Sequence, residues 1–214
     1  MRPITVTVGP LTAASSNNIA LSQTPATKGN ITLNGSLVSG GVAIIANPQR
    51  ITLTTTDSTH TAVISGTDAA GSPISETITF TGSAITSILS YKTVTSIAVN
   101  AGLTAAITVG TSGLGYSNFA RLDEWANAQT SIQCVASGTV TYTVQLSNDD
   151  PNSTTNPVAV TAMTWSSSPD SLAVGATGSI FTVLAQSPLW VRINLTAGTG
   201  SVTATVVQAG VVPY

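Results

Sequence analysis

Thr139-Val140-Thr141-Tyr142-Thr143-Val144-Gln145-Leu146 is the stretch whose reading decides the fold. Its even positions are apolar and its odd positions polar, the two-residue period of a strand with one buried face. The same alternation extends outward from it. Leu189, Val191, Ile193 and Leu195 alternate with Trp190, Arg192 and Asn194, while Ile4, Val6 and Val8 alternate with threonines. Ile31 with Leu33 and Ile51 with Leu53 repeat the pattern. Between the runs stand Asn34-Gly35, Gly40-Gly41, Asn47-Pro48, Gly71-Ser72-Pro73 and Gly198-Thr199-Gly200, the residue types that tight turns demand. Short strands separated by such turns predict an all-β protein built of sandwich-like domains.

The composition says what kind of surface these strands carry. Only 7% of the 214 residues are charged, against about 25% in ordinary soluble proteins. Thr and Ser together supply 62 residues and aromatics 5%. Disordered chains are poor in β-branched residues, whereas this one is rich in the Val, Ile and Thr that suit a pleated, half-buried surface. A β surface with so few charges lacks the usual protection against edge pairing. Neighbouring molecules are therefore expected to cover much of it in its working state.

Several function classes fall away on the same grounds. The net charge is −2, and the basic residues Arg2, Lys28, Arg50, Lys92, Arg121 and Arg192 are scattered. Electrostatic capture of DNA or RNA needs them clustered, so no nucleic-acid partner is expected. No apolar run approaches the roughly 20 residues of a membrane helix. The start, Met1-Arg2-Pro3-Ile4-Thr5-Val6, has no apolar h-region, which predicts synthesis in the cytoplasm without a secretion signal. The single cysteine, Cys134, rules out an intramolecular disulfide.

The Gly-rich segment Gly110–Gly115 is followed by Phe119-Ala120-Arg121-Leu122-Asp123-Glu124-Trp125-Ala126, where Phe119, Leu122 and Trp125 fall three apart. This is either a short helix or an irregular linker. It places a domain boundary and predicts two β-sandwich-like domains, 1–114 and 115–214. The first includes an extended N-terminal arm of about 30 residues, rich in Ala, Ser, Asn and Pro. The strand Ile4, Val6, Val8 and the uncharged tail ending at Tyr214 are each open to two readings. Each either adds to the sheet of a neighbouring subunit or packs on its own domain.

No catalytic, metal or cofactor site is expected, and no small-molecule substrate. His60 is the only histidine and reads as a solvent-facing strand residue. It lies near no Gly-x-Ser-x-Gly elbow, and a triad needs a convergent geometry that nothing in the sequence suggests. Cys134 reads as a small hydrophobe, on the face opposite Ile132 or in a strand interior. Asn148-Asp149-Asp150-Pro151-Asn152 has the Asx residues of a turn and no calcium-loop pattern. Asp68, in Gly66-Thr67-Asp68-Ala69-Ala70-Gly71, has the same turn reading, and Asp123-Glu124 reads as an exposed pair. Trp190 is different. If Leu189, Val191, Ile193 and Leu195 face the core, Trp190 points away from it beside Arg192, and these two residue types are enriched at binding hot spots. The alternative is a strand buried on both faces, with Arg192 stacked on the indole.

Ile51-Thr52-Leu53-Thr54-Thr55-Thr56, Val63-Ile64-Ser65-Gly66-Thr67-Asp68-Ala69-Ala70-Gly71 and Ile74-Ser75-Glu76-Thr77-Ile78 together resemble structural proteins of tailed-phage virions. Those often carry a strand, Gly-Thr-Asp-x-x-Gly, strand block. They follow it with stretches similar to Tyr91-Lys92-Thr93-Val94-Thr95-Ser96-Ile97 and Ile107-Thr108-Val109-Gly110-Thr111. Gly138–Gln145, Asp149-Asp150-Pro151-Asn152, Trp165 and Val206-Val207-Gln208-Ala209-Gly210 look like the same group. The resemblance spans roughly residues 50 to 210 and brings no catalytic residues. It implies a virion protein, with a capsid decoration or cement role as the leading expectation. The expected partners are the major capsid protein and copies of itself. A neck, tail or fibre-base component and a carbohydrate-binding module are the alternatives. The interface residues expected are Trp190, Arg192, Ile4, Val6, Val8 and Tyr214.

Overall fold

The computed structural model describes residues 3–122, 129–185 and 188–208. The chain is all-β, with 53% strand and 3% helix. In chain order the strands are β1 (Ile4–Val8), β2 (Ala20–Gln23), β3 (Gly29–Asn30), β4 (Val38–Ser39), β5 (Val42–Thr55), β6 (Thr61–Thr67), β7 (Pro73–Thr79), β8 (Ile85–Val99) and β9 (Ile107–Thr111). There follow β10 (Gly115–Tyr116), β11 (Ala120–Arg121), β12 (Thr130–Ser137), β13 (Thr141–Ser147), β14 (Ser166–Ser167), β15 (Ile180–Leu184), β16 (Trp190–Ala197) and β17 (Ser201–Gln208). They form two compact units. The N-terminal unit is Leu11–Gly115, and the C-terminal unit joins Met1–Pro10 to Tyr116–Tyr214.

The boundary at Gly115/Tyr116 lies one residue from the expected one, but the first ten residues belong with the far half of the chain. The reason is β1, whose five residues pair antiparallel with β17 from Ile4↔Val206 to Val8↔Val202. The N-terminal unit is thus inserted between the first strand of the C-terminal unit and the rest of it. Residues after Pro10 are laid along their own unit. The amides of Ser15 and Ile19 donate to the carbonyls of Thr111 and Val109, and the Asn18 side chain brackets Thr111 through bonds of 2.7 and 2.9 Å.

The N-terminal unit is one antiparallel sheet in the order β2-β9-β5-β8-β6-β7, with β3 attached to β8 and β4 to β5. Its two long strands, β5 and β8, lose register between Ile44 and Gln49 and again between Arg50 and Thr52. Such irregularities bend a strand and raise its twist. The two halves of each long strand thereby enclose one core, in which Ile45, Ile51, Leu53, Ile64, Tyr91 and Ile97 are wholly buried. The main-chain groups freed where the ladder breaks need partners. The buried carboxylate of Glu76, carried by β7, accepts from the amides of Ile88 at 2.7 Å and Leu89 at 2.9 Å. Ser87 Oγ accepts from Ile51 N and donates to Leu89 O, and Arg50 Nε donates to Ser87 O.

The C-terminal unit has two sheets, β1-β17-β12-β15 and β10-β16-β13-β14 with β11 on β16. Across the first sheet the registers align Ile4, Val206, Ile132 and Thr182 in one inward row, and Val6, Ala204, Cys134 and Ile180 in the next. The second sheet turns Tyr142, Val144, Ile193 and Leu195 inward, with Tyr142 opposite Leu195 and Val144 opposite Ile193. Strand β13 begins at Thr141 rather than Thr139, because Gly138 (φ 74°) and the two residues after it form the corner between the sheets. Thr143, expected on a wetted face, is buried, and its hydroxyl accepts from Gly175 N at 3.0 Å. Cys134 lies on the same face as Ile132, not the opposite one, since residues two apart on a strand share a face. The helical reading of 119–126 is not met where it can be examined. Ala120 and Arg121 pair with β16, and Asp123–Ala126, with Trp125, lie outside the described residues.

Candidate functional site

The residues expected to form an interface fall into two places. Trp190 and Arg192 do point away from the sandwich core. On the outward face of the second sheet Trp190 stands between Ser147 and Arg121, and Arg192 beside Gln145. However, this face is covered by the chain itself. Phe119 meets Trp190 edge-on at 5.0 Å between ring centroids and Trp165 at 6.0 Å. The Arg192 guanidinium lies 3.7 Å from the Tyr116 centroid and 4.0 Å from that of Trp165, and its Nε donates to Gln145 Oε1 at 2.9 Å. Arg121 covers Trp190 at 5.7 Å. Trp190 is accordingly only 6% exposed, and its Nε1 is buried without a hydrogen-bond partner. The expectation of a protruding Trp190 anchor is corrected: the strand is buried on both faces at this end. Planar cation and ring faces attract one another here.

Ile4, Val6 and Val8 also turn inward, toward the core of their own unit, with Val6 and Val8 buried. Strand addition by the N-terminus occurs within the chain, on β17. Tyr214 lies outside the described residues.

What stands open is the outer face of the first sheet. Its rows read Thr5-Thr205-Gln133-Phe181, then Thr7-Thr203-Val135, then Val207-Ser131-Val183. No residue in them is charged. Phe181 is 63% exposed, Val183 52% and Val135 51%. Sequence reasoning missed this face because Ile180-Phe181-Thr182-Val183-Leu184 carries apolar residues on both faces and so displays no alternation.

The carboxylates are used locally. Asp57 follows β5 and is caged. Its Oδ1 accepts from the amides of Thr59 and His60, and its Oδ2 from the amide and hydroxyl of Thr104. His60 Nδ1 lies 2.8 Å from Asp57 Oδ2. Burial by itself would raise the Asp57 pKa, but the hydrogen bonds from Thr59, His60 and Thr104 outweigh it and hold the carboxyl well below its ordinary value. His60 therefore sits in a turn, half-buried against Asp57, rather than on a strand facing solvent. Asp68 accepts from Ala70 and Ser72, Asp150 from Asn152, Asp149 from Thr164 and Asp170 from Leu172. With Glu76, every acidic residue among those described caps main-chain amides. The turn readings of Asp68 and of the 148–152 loop match these bonds.

Burial pushes the Cys134 thiol up to about 11, against a hydrogen bond with Tyr142 that lowers it. A thiol so raised is protonated at neutral pH and a poor nucleophile. Among the described residues no three His, Cys, Asp or Glu side chains gather as a metal site would need. A groove of about 670 Å³ is lined by Leu146, Asn148, Asp149, Thr164, Ser166 and neighbouring residues. Its Asn148 and Asp149 already accept from the amides of Leu189 and Thr164. Comparison with protein-family models, with curated proteins and with solved structures finds no match.

Proposed function

We propose that this chain is a structural protein of a tailed-phage virion, and specifically a decoration protein that binds the outside of the head and ties neighbouring capsomers together. The observation that carries the reading is the uncharged outer face of the β1-β17-β12-β15 sheet, set with exposed Phe181, Val183 and Val135. A hydroxyl-rich face studded with apolar side chains suits permanent contact with a fixed neighbour. It is unlike a free surface, which ordinarily mixes charges of both signs. The use of the carboxylates as amide caps supports a non-catalytic role. The sequence resemblance to virion proteins supports the setting, with the major capsid protein and further copies of this chain as partners.

A decoration protein stabilises by linkage, because it binds the assembled shell and not the separate capsomers. Heads produced without this chain are expected to rupture at a lower temperature than complete ones, and adding the purified chain is expected to restore them. Heads whose melting is indifferent to the chain would remove the decoration role. Copies found only at the neck or tail would favour that alternative.

A further inference from the structure

We propose that the free edge of β15 joins two copies of this chain, through an antiparallel β15–β15 ladder about a two-fold axis at Thr182. The inference deepens the assembly reading by naming one of its contacts. A sheet edge presents unpaired amides and carbonyls in a row that only another extended strand can fill, and native proteins blunt such edges. Among the described residues the other longer edge strands are interrupted, capped or covered. In the N-terminal unit β7 carries Pro73 and the inward carboxylate of Glu76. At the opposite edge the main chain of β2 is capped by side chains at Leu21, whose N donates to Asn34 Oδ1 and whose carbonyl accepts from Gln23 Nε2. In the C-terminal unit β1 lies against β11 and β16, and β14 has only two residues.

Strand β15 has no blunting residue within it, though the 3-10 turn Ser171–Ala173 lies close to it. Ile180-Phe181-Thr182-Val183-Leu184 contains no charge and no proline, and among the described residues its only ladder is with β12. The Thr182 hydroxyl is held inward by Asp170 Oδ2, which leaves the seam to main-chain groups and apolar side chains.

The occupant follows from self-complementarity. A two-fold axis at Thr182 sets Phe181 opposite Val183 of the second copy, and Ile180 opposite its Leu184. Aromatic and β-branched residues facing one another across strands stabilise a ladder. No like charges meet, and one surface serves both copies, as a closed dimer requires. Two four-stranded sheets would then run on as one of eight.

The test is the mass of the purified full-length chain by sedimentation across a concentration series, beside Val183→Lys and Phe181→Lys. These side chains point outward, so far-UV circular dichroism should be unchanged, and melting should fall only by the stabilisation that dimerisation supplies. The wild type is expected to dimerise and each variant to dissociate at least about tenfold more readily. A Phe181→Cys/Val183→Cys variant should also form a disulfide-linked dimer on oxidation. A wild type that stays monomeric up to about millimolar concentration, or a dimer indifferent to both lysines and not cross-linked by the cysteine pair, overturns the proposal. Because these readings use the isolated chain, they can fail while the virion role stands, and the reverse.

Discussion

The guanidinium of Arg192 lies 3.7 Å from the centroid of the Tyr116 ring, so a strand residue on the outer face of one sheet is joined to the segment that enters the C-terminal unit. Trp165 takes the other contact at 4.0 Å and Gln145 the Nε hydrogen bond. The cluster therefore gathers β10, β13, β16 and the segment before β14. Arg192→Lys keeps the charge but loses the planar stack and the directed bond. It is expected to lower stability by about 1–2 kcal/mol, read by urea denaturation. An unchanged midpoint would show that the rings pack without the guanidinium.

Asp57 gives a pH dependence with a defined sign. Its folded-state pKa lies below the ordinary value of 3.8, so the caged carboxylate contributes stability that is present above that value and lost as pH falls through the folded pKa. Asp57→Asn is expected to be less stable than wild type at pH 7, and the deficit should shrink below about pH 4. Denaturation at a series of pH values measures it. A deficit independent of pH would mean that the cage recognises shape rather than charge.

Glu76 is the only described acidic residue that caps amides in mid-strand. Glu76→Ala removes a buried carboxylate and leaves the Ile88 and Leu89 amides, which are part-buried, without it as a partner. The expected loss is about 2–4 kcal/mol, more than one ordinary hydrogen bond. Amide exchange at Ile88 and Leu89 should accelerate ahead of the rest of β8. Uniform acceleration would assign the carboxylate a global role instead.

Gly66 sits where β6 shifts register against β8, and a Cβ there would fall 1.9 Å from the Thr93 carbonyl oxygen. Neither strand can retreat without breaking the ladder. Gly66→Ala is expected to cost more than about 3 kcal/mol, the upper range for overpacking, and to lower the melting temperature accordingly. A near-neutral variant would mean that the bulge slides.

These residues mark how far the sequence could be read. The period-2 runs around Val144 and Ile193 revealed their buried faces, because alternation follows directly from strand geometry. The Asp68 turn was legible because an Asx residue bonds its own neighbours. The partner of β1 was not, since nothing local in Ile4–Val8 says that its ladder lies some two hundred residues away on β17. Trp190 was placed on the correct face, but its surroundings stayed open between an exposed anchor and a strand buried on both faces, and the second is what the structure has. Its cover comes from Phe119 and Arg121, which carry no strand pattern strong enough to place them there. Glu76 and Asp57 were overlooked for the same reason: their roles depend on amides freed by bulges and turns in other segments.

The central claim, a proposed structural place in a virion, is tested most directly by the copy number of this chain in purified phage particles. Quantitative mass spectrometry against the major capsid protein supplies that number. The account predicts a count comparable to the capsid protein, whereas absence of the chain from the particle would contradict it.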